Sequence, residues 1–564
     1  MLYLNNHLET SKNLSKISSF NSTSKKRKHS VSFKKITPIV ILLSLSGCNS
    51  HIKHLPEISD MNIPEEWQTP TEPKTAENVE NVETEAVIEK VVNEPVPVKE
   101  VKKVENGWLK SFNDTELNQY VNIALKNNPD LLSSAADLKS AIDQVNITGS
   151  SLWPSVSYNF NRSKTTIDGN AVTTFDDGND LNTDTNTDFD NTTETFDTSS
   201  SLSTEVRTVQ TTLDISWEAD IWGKLTQRKK AAAYSAKAQG ELFKYAELSL
   251  VANVSRAWYN LVTNKLQLDL AHQRLDSFKN TTSIIEQNYK SGISSALDVY
   301  LSRSDVQGQV ASLSQARFDY VETLRAFKTL LGQYPDNNLE FNAKLPQLEN
   351  SVPTGLPAQL LTRRPDIKAS QLSYKSQIAN AKAAQRDLYP VINFRGSIGD
   401  SRDTFNELFD GENLIRTFIS DLTAPIFASG ALRSARDQAV YEAESAYADL
   451  LTTTLTAFEE VENSLSRETS LREQKTAIQS TVSLSENALE LALDRYKLGL
   501  ENYNTVLESQ RRVFDSKENE INIRNALLQN RIGIHLALGG DFSDEDGRDP
   551  LESLPEVKKN SSKK

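Results

Sequence analysis

Residues 431–498 read ALRSARDQAVYEAESAYADLLTTTLTAFEEVENSLSRETSLREQKTAIQSTVSLSENALELALDRYKL, without one glycine or proline, and Gly499 follows. At ~1.5 Å per residue, a continuous helix over that stretch would be about 100 Å long. No compact domain needs such a rod. Toward its end Leu471, Ile478, Val482, Leu489, Leu493 and Tyr496 recur at spacings of three, four or seven, the seam of helices packed side by side. Gly499 stands where a left-handed C-terminal cap belongs, and an apolar-polar pattern resumes after Asn502. The spacing therefore predicts a helical hairpin.

The hairpin is encoded twice. Gly223 to Gly332 aligns without a gap on Gly430 to Gly539, at an offset of 207, and Leu225/Leu432, Tyr234/Tyr441, Val254/Val461 and Tyr289-Lys290/Tyr496-Lys497 support that register. Gly292 is the partner of Gly499. Glycines alone could coincide; four further pairs in one register argue duplication. Earlier in each half, Asn128-Pro129-Asp130-Leu131 corresponds to Arg364-Pro365-Asp366-Ile367 and Trp153-Pro154 to Tyr389-Pro390, at an offset of 236. The first copy thus carries 29 extra residues between Trp153 and Gly223.

Of the 564 residues 37% are hydrophobic and 24% charged, and Gly and Pro are scarce, which suits long helices better than stacked globular domains. The net charge of −14 argues against a nucleic-acid partner, which calls for a basic face. One cysteine excludes an internal disulfide framework and a thiolate metal cluster. The six histidines are scattered, and no metal, cofactor or acid-base constellation is visible. An enzyme is not expected.

Near the N-terminus, Lys25-Lys26-Arg27-Lys28 and Lys34-Lys35 precede an apolar run from Ile36 to Leu45 and then Leu45-Ser46-Gly47-Cys48. The run is shorter than the roughly 20 residues that a spanning helix needs, so it reads as a signal peptide. The tetrapeptide resembles the bacterial lipobox, which implies lipidation of Cys48, the only cysteine. In that resemblance Asn49, rather than Asp, implies export to the outer membrane. From Pro56 to Val104 a Pro-, Glu-, Val- and Lys-rich segment without period reads as an extended tether. The expected organisation is a signal peptide (1–47), a lipid-anchored tether (48–107), a first repeat (108–338), a second repeat (339–542) and a polar tail (543–564).

Period-two alternation marks strands. Val156, Tyr158 and Phe160 alternate with Ser157, Asn159 and Asn161; Val209, Leu213, Ile215 and Trp217 alternate with Gln210, Asp214 and Ser216; Ile392, Phe394 and Ile398 alternate with Asn393, Arg395 and Ser397; a weaker run spans Leu414 to Ile426. Such strands suit a soluble sandwich or a barrel wall facing lipid. The export signal, and Trp153, Trp217 and Trp222 at the strand ends, favour the barrel. Four strands leave two open edges, which cannot sit in lipid, and three chains would close them into a twelve-stranded barrel around an aqueous bore. Thr165 to Val206 carries ten Asp or Glu and no Lys or Arg. It lacks the spacing of an EF-hand calcium loop and reads as a solvated loop at the cell surface, which directs the helices into the periplasm.

Trp217-Glu218-Ala219-Asp220-Ile221-Trp222-Gly223-Lys224, the stretch from Gly355 to Ile367, and Ala424-Pro425-Ile426-Phe427 with Gly430 resemble signatures of TolC-like outer-membrane efflux proteins, in the lipoprotein branch of the OprM kind. The resemblance covers about Trp108 to Phe542. It implies a mainly α chain with four strands that trimerises into a twelve-stranded membrane β-barrel and a twelve-helix periplasmic tunnel. The homotrimer would be a passive exit duct, served by a periplasmic adaptor and an inner-membrane transporter of the RND type.

The same resemblance implies a gate at the hairpin tips. The stretch Gly499 to Gln510 places Glu508 where the lipoprotein branch has a pore-facing acid, and Asn504 where the family has a constricting apolar side chain, with Tyr503 beside it. Three Glu508 carboxylates around a threefold axis would form a tight acidic ring and favour cations. A lock between hairpins is implied for Asp298 and Tyr496, while Glu501 stands where some members place an arginine. Two rivals are a type I protein-secretion duct and a lipid-tethered structural coiled coil of the envelope; the second has no use for the strands.

Overall fold

The computed structural model describes Trp67 and residues 107–170, 201–348, 352, 354–355, 357–405 and 414–541. Cys48 with its expected lipid, the signal peptide, most of the acidic loop and the C-terminal tail lie outside the described residues. After a 3-10 turn at Trp108–Phe112 the order is α1 (Thr115–Asn127), α2 (Pro129–Ser150), β1 (Ser155–Asn170), β2 (Ser201–Ala219), α3 (Lys224–Lys290), α4 (Ala296–Leu330), α5 (Leu360–Arg363), α6 (Pro365–Arg386), β3 (Val391–Arg402), β4 (Ile415–Thr423), α7 (Ala431–Lys497) and α8 (Tyr503–Ala537). The two rods, α3 and α7, are 67 residues each, about 100 Å at ~1.5 Å per residue.

Side-chain caps fix where the first helices start. The Asp114 carboxylate accepts the Leu117 N–H at 3.0 Å to cap α1. Asn128 accepts from Asp130 and Leu131 ahead of α2, with Pro129 in the first turn. Where α1 to α4 and α8 converge, Trp258 is enclosed by Tyr120, Phe327 and Phe341 at ring distances of 4.9, 5.7 and 5.0 Å. Its indole N–H donates to Asp114 at 2.8 Å. A second core joins Leu360, Ile367, Tyr374, Leu450, Val461 and Ile534. These two cores form a thick waist midway along the rods.

The four strands make one antiparallel sheet in the order β1-β2-β3-β4. Val156 faces Ile215 and Tyr158 faces Leu213 across the first ladder; Leu213 faces Ile398 and Trp217 faces Phe394 across the second. One face is therefore apolar from strand to strand, and its side chains are exposed, from Val156 and Tyr158 to Phe418 and Leu422. The other face is polar, with Asn159 donating to Asp214 at 2.7 Å. Among the described residues β1 and β4 are the unpaired edges. At the helix end of the sheet the rings of Trp153, Trp217 and Trp222 are exposed, while the indoles of Trp217 and Trp222 donate to the carbonyls of Leu152 (3.1 Å) and Pro390 (2.6 Å). Rings in one medium and N–H groups tied to backbone fit an interfacial belt. No helix among the described residues is long and apolar enough to cross a membrane.

Two expectations need adjusting. The first hairpin does not give way to loop at Thr165: its ladder continues from Thr165↔Val206 to Asn170↔Ser201, into the stretch read as loop. Backbone pairing carries on after apolar alternation ceases, because the ladder bonds belong to the main chain. The tether is also not wholly free of the body. Trp67, read as part of it, donates its indole N–H to the Gly355 carbonyl at 3.1 Å and meets the Phe458 ring edge-on at 6.2 Å. One aromatic side chain brings enough apolar area to dock where its Pro- and Glu-rich neighbours offer little.

Candidate gate at the hairpin tips

Both hairpins turn on a glycine with positive φ, +74° at Gly292 and +71° at Gly499. Gly292 donates to the Tyr289 carbonyl and Ile293 to Asn288; one repeat later Gly499 donates to Tyr496 and Leu500 to Arg495. These bonds satisfy the last carbonyls of the long helices. The return helices start differently. In α4, Ser295 and Asp298 form a reciprocal capping box, whereas in α8 Asn502 caps Thr505 and Glu501 holds the Thr505 hydroxyl at 2.9 Å. Those bonds, with the Asn502 N–H, hold the Glu501 carboxylate below its usual pKa.

Between the turns the tips share a small apolar core of Ile285, Val299, Ala492, Tyr496, Tyr503 and Val506. Polar groups bridge the hairpins around it. The Tyr496 hydroxyl pairs with the Ser294 hydroxyl at 2.8 Å. Tyr503 donates to Asp305 Oδ2 at 3.0 Å, and Arg511 donates to Asp305 Oδ1 at 2.9 Å. Gln510 donates to Ser277 at 2.7 Å, and farther up the seam Arg274 meets Asp515 at 3.2 Å. Burial, followed by the Asp305 charge, pushes the Tyr503 hydroxyl well above the phenol range. Burial also raises Tyr496, against the Ser294 bond and with help from the nearby Asp298 charge.

The sequence-derived site residues separate into two groups. Asn504 and Glu508 lie one turn apart on the exposed side of α8, opposite the buried stripe of Tyr503, Val506, Gln510 and Val513. Glu508 is 67% exposed and pairs with Arg512 at 3.2 Å, so each carboxylate of an acidic ring would bring a cation with it. Tyr503 does not join them. It is 3% exposed and belongs to the packing between hairpins, because position 503 sits about 100° around the helix from 504. Asp298 spends its carboxylate on the Ser295 N–H at 3.1 Å, and Ser294 takes the Tyr496 hydroxyl that the resemblance assigned to it. Asp305, Arg511 and Gln510 were missed from the sequence. The available signal was helical spacing: Gln510 and Arg511 fall two turns after Tyr503, on its face.

The two repeats each match the family model described as outer membrane efflux protein, over residues 120–333 and 356–540. The chain belongs to the outer membrane efflux protein family. A pyoverdine export outer membrane protein of Pseudomonas putida, OpmQ, is 28% identical over 440 residues, covering 77% of this chain and 88% of its own. A probable efflux pump outer membrane protein of Pseudomonas putida, TtgC, is 25% identical over 468 residues, covering 82% and 91%. The CmeC outer membrane channel of Campylobacter jejuni superposes with a TM-score of 0.69 at 21% identity, over 86% of this chain and 97% of that one; this likeness speaks to fold. As a member of this family the chain is an outer membrane efflux protein, and its long helices and four strands share the fold of that channel.

Proposed function

We propose that three copies of this chain assemble into the passive exit duct of a tripartite pump. Each copy would contribute one third of a twelve-stranded barrel and of a twelve-helix tunnel. The observation that carries this reading is the four-stranded sheet with an exposed apolar face and two unpaired edges. Neither edge can face lipid, and pairing β4 of one protomer with β1 of the next satisfies both. Cys48 carries the lipid in this reading, and the hairpin tips meet a periplasmic adaptor that couples the duct to an inner-membrane transporter of the RND type. The cargo is small-molecule, in keeping with the pyoverdine exporter among the relatives.

The duct closes where the tips converge, with Asn504 and Glu508 on the axis and the Ser294–Tyr496 and Asp305–Tyr503–Arg511 bridges holding the hairpins together. Adaptor contacts made only in the open state would shift that equilibrium. Planar-bilayer recording tests the assignment. Glu508→Ala raises conductance and lowers cation selectivity, whereas Arg512→Ala raises cation selectivity by leaving the carboxylate ring unopposed. Identical conductance and selectivity in both variants and the wild type would remove Glu508 from the bore.

A further inference from the structure

On the apolar face of the sheet the side chains change character toward the end remote from the helices. Arg162 and Arg402 both stand opposite Val209, Lys164 stands opposite Arg207, and Arg416 stands opposite Ile398. Because side chains alternate across a strand, all five cations share the face that carries Tyr158, Leu213, Ile215, Ile398 and Phe418. Three have carboxylate partners. Glu205 meets Lys164 at 3.1 Å and also holds Arg207, and Asp400 holds Arg402 at 3.1 Å. Arg162 and Arg416 are exposed and have no carboxylate partner among the described residues.

Arg416 also borders a groove. A cavity of about 280 Å³ is lined by Leu213, Ile215, Gly396, Ile398 and Phe418, with Ser397 and Thr417 at its wall and Arg416 its only charged side chain. The groove exists because Gly396 interrupts the apolar row between Ile215 and Phe418. A Cβ placed there would meet nothing nearer than the Thr417 carbonyl at 3.9 Å. An apolar trough ending at an uncompensated guanidinium, on a face turned to lipid, matches one kind of molecule: an acyl chain followed by a phosphate.

We propose that this face binds a phosphorylated lipid of the outer leaflet, one acyl chain lying in the Gly396 groove and a phosphate meeting Arg416, with Arg162 extending the cationic girdle. The inference rests on the channel reading above, which sets this face against lipid and the strand tips toward the cell surface. Arg162, Lys164, Arg207 and Arg402 stand beyond the apolar rows, whereas Arg416 ends the last mainly apolar row, Tyr158–Leu213–Ile398, at the border where headgroup phosphates would begin. Guanidinium is suited to them because it donates two parallel hydrogen bonds while its stem stays in the apolar layer.

Native mass spectrometry of the full chain purified from outer membranes tests it, since the same spectrum reports stoichiometry and retained lipid. The probes are bisphosphorylated lipid A, a phosphate-free analogue and phosphatidylglycerol. The wild type should retain bisphosphorylated lipid A about tenfold more than Arg416→Gln, as loss of one charge-assisted contact implies. Gly396→Leu, which fills the groove and leaves every charge in place, should lower retention too. Arg395→Gln, on the polar face of the same strand, should leave it unchanged. Equal retention by wild type and Arg416→Gln overturns the proposal, as do equal retention of the phosphate-free analogue, preference for phosphatidylglycerol, or an Arg395→Gln loss as large as that of Arg416→Gln. A chain that proves monomeric fails the channel reading instead, and the spectrum separates the two results.

Discussion

In the first repeat the side-chain amide of Asn128 donates to the Leu330 carbonyl at 2.9 Å. In the second, the Arg364 guanidinium donates to the equivalent Ala537 carbonyl at 3.1 Å. Gly332 and Gly539 both take positive φ, +70° and +63°, but the crowding differs: a Cβ would lie 2.4 Å from the Asn127 carbonyl oxygen in one and 3.0 Å from the Arg364 Cγ in the other. What differs as well is the cost of the donor. An amide is neutral and also caps α2, whereas the guanidinium brings a charge into a site where its side chain is 4% exposed. That charge is matched by Asp366 at 2.7 Å and Glu460 at 2.6 Å. Duplication thus kept the shape of the joint between helix start and helix end, while its electrostatics diverged.

Buried position 328 and its counterpart 535 differ in the same way. Lys328 is matched by Asp336 and donates to the Asn338 carbonyl at 2.7 Å. His535 is stacked flat on Trp108 at 5.3 Å, and among the described residues neither ring nitrogen has a partner. Burial, and secondarily the Arg531 charge, pushes the His535 imidazole down to about 3.

The comparison can be broken most directly at the joints. Arg364→Ala strands Asp366 and Glu460 and should cost about 3 kcal/mol, the low end for a broken buried pair because Glu460 is half exposed. Asn128→Ala loses a cap and a carbonyl bond, about 1–2 kcal/mol. Denaturant titration of both variants would show whether the charged joint is the stronger one; equal losses would mean that the ion pairs add nothing beyond the hydrogen bond.

His535 sharpens the contrast through pH. Its folded pKa is depressed below the ordinary ~6.5, so its contribution is complete above that value and is lost as pH falls toward about 3. Between pH 7 and pH 5 the loss should be about 2 kcal/mol, at ~1.36 kcal/mol per unit. A thermal-melt series in His535→Phe, which keeps the stacking surface, should lose that slope.

A smaller effect is expected where the rods leave the sheet. Asp220 accepts the Leu225 and Thr226 N–H groups at 2.9 and 2.8 Å at the start of α3. The equivalent position before α7 is Phe427, which is exposed, and Gly430 has no side-chain cap. Asp220→Ala should therefore cost about 1 kcal/mol, while Phe427→Ala should leave the melting temperature unchanged. Tyr496→Phe should cost about 1 kcal/mol or less for one hydroxyl bond, seen more readily as increased leak in bilayer recording.

Sequence alone determined the elements whose signals are local. The long uninterrupted rods, the paired turns at Gly292 and Gly499 and the alternating strands all depend on neighbours within a few residues, and duplication let each half check the other. It also singled out the exposed stripe of Asn504 and Glu508, through resemblance to the family. Tertiary structure decided what depends on which helix faces which. Tyr503 turned inward, Asp298 was taken by its own helix cap, and Asp305 gained Tyr503 and Arg511 from a hairpin about two hundred positions away. The cations on the apolar face were equally invisible, because five of them from four strands share a face only once register is set. A 3.6-residue or two-residue period tells a side chain which side of its own element it occupies; only packing tells it what lies opposite.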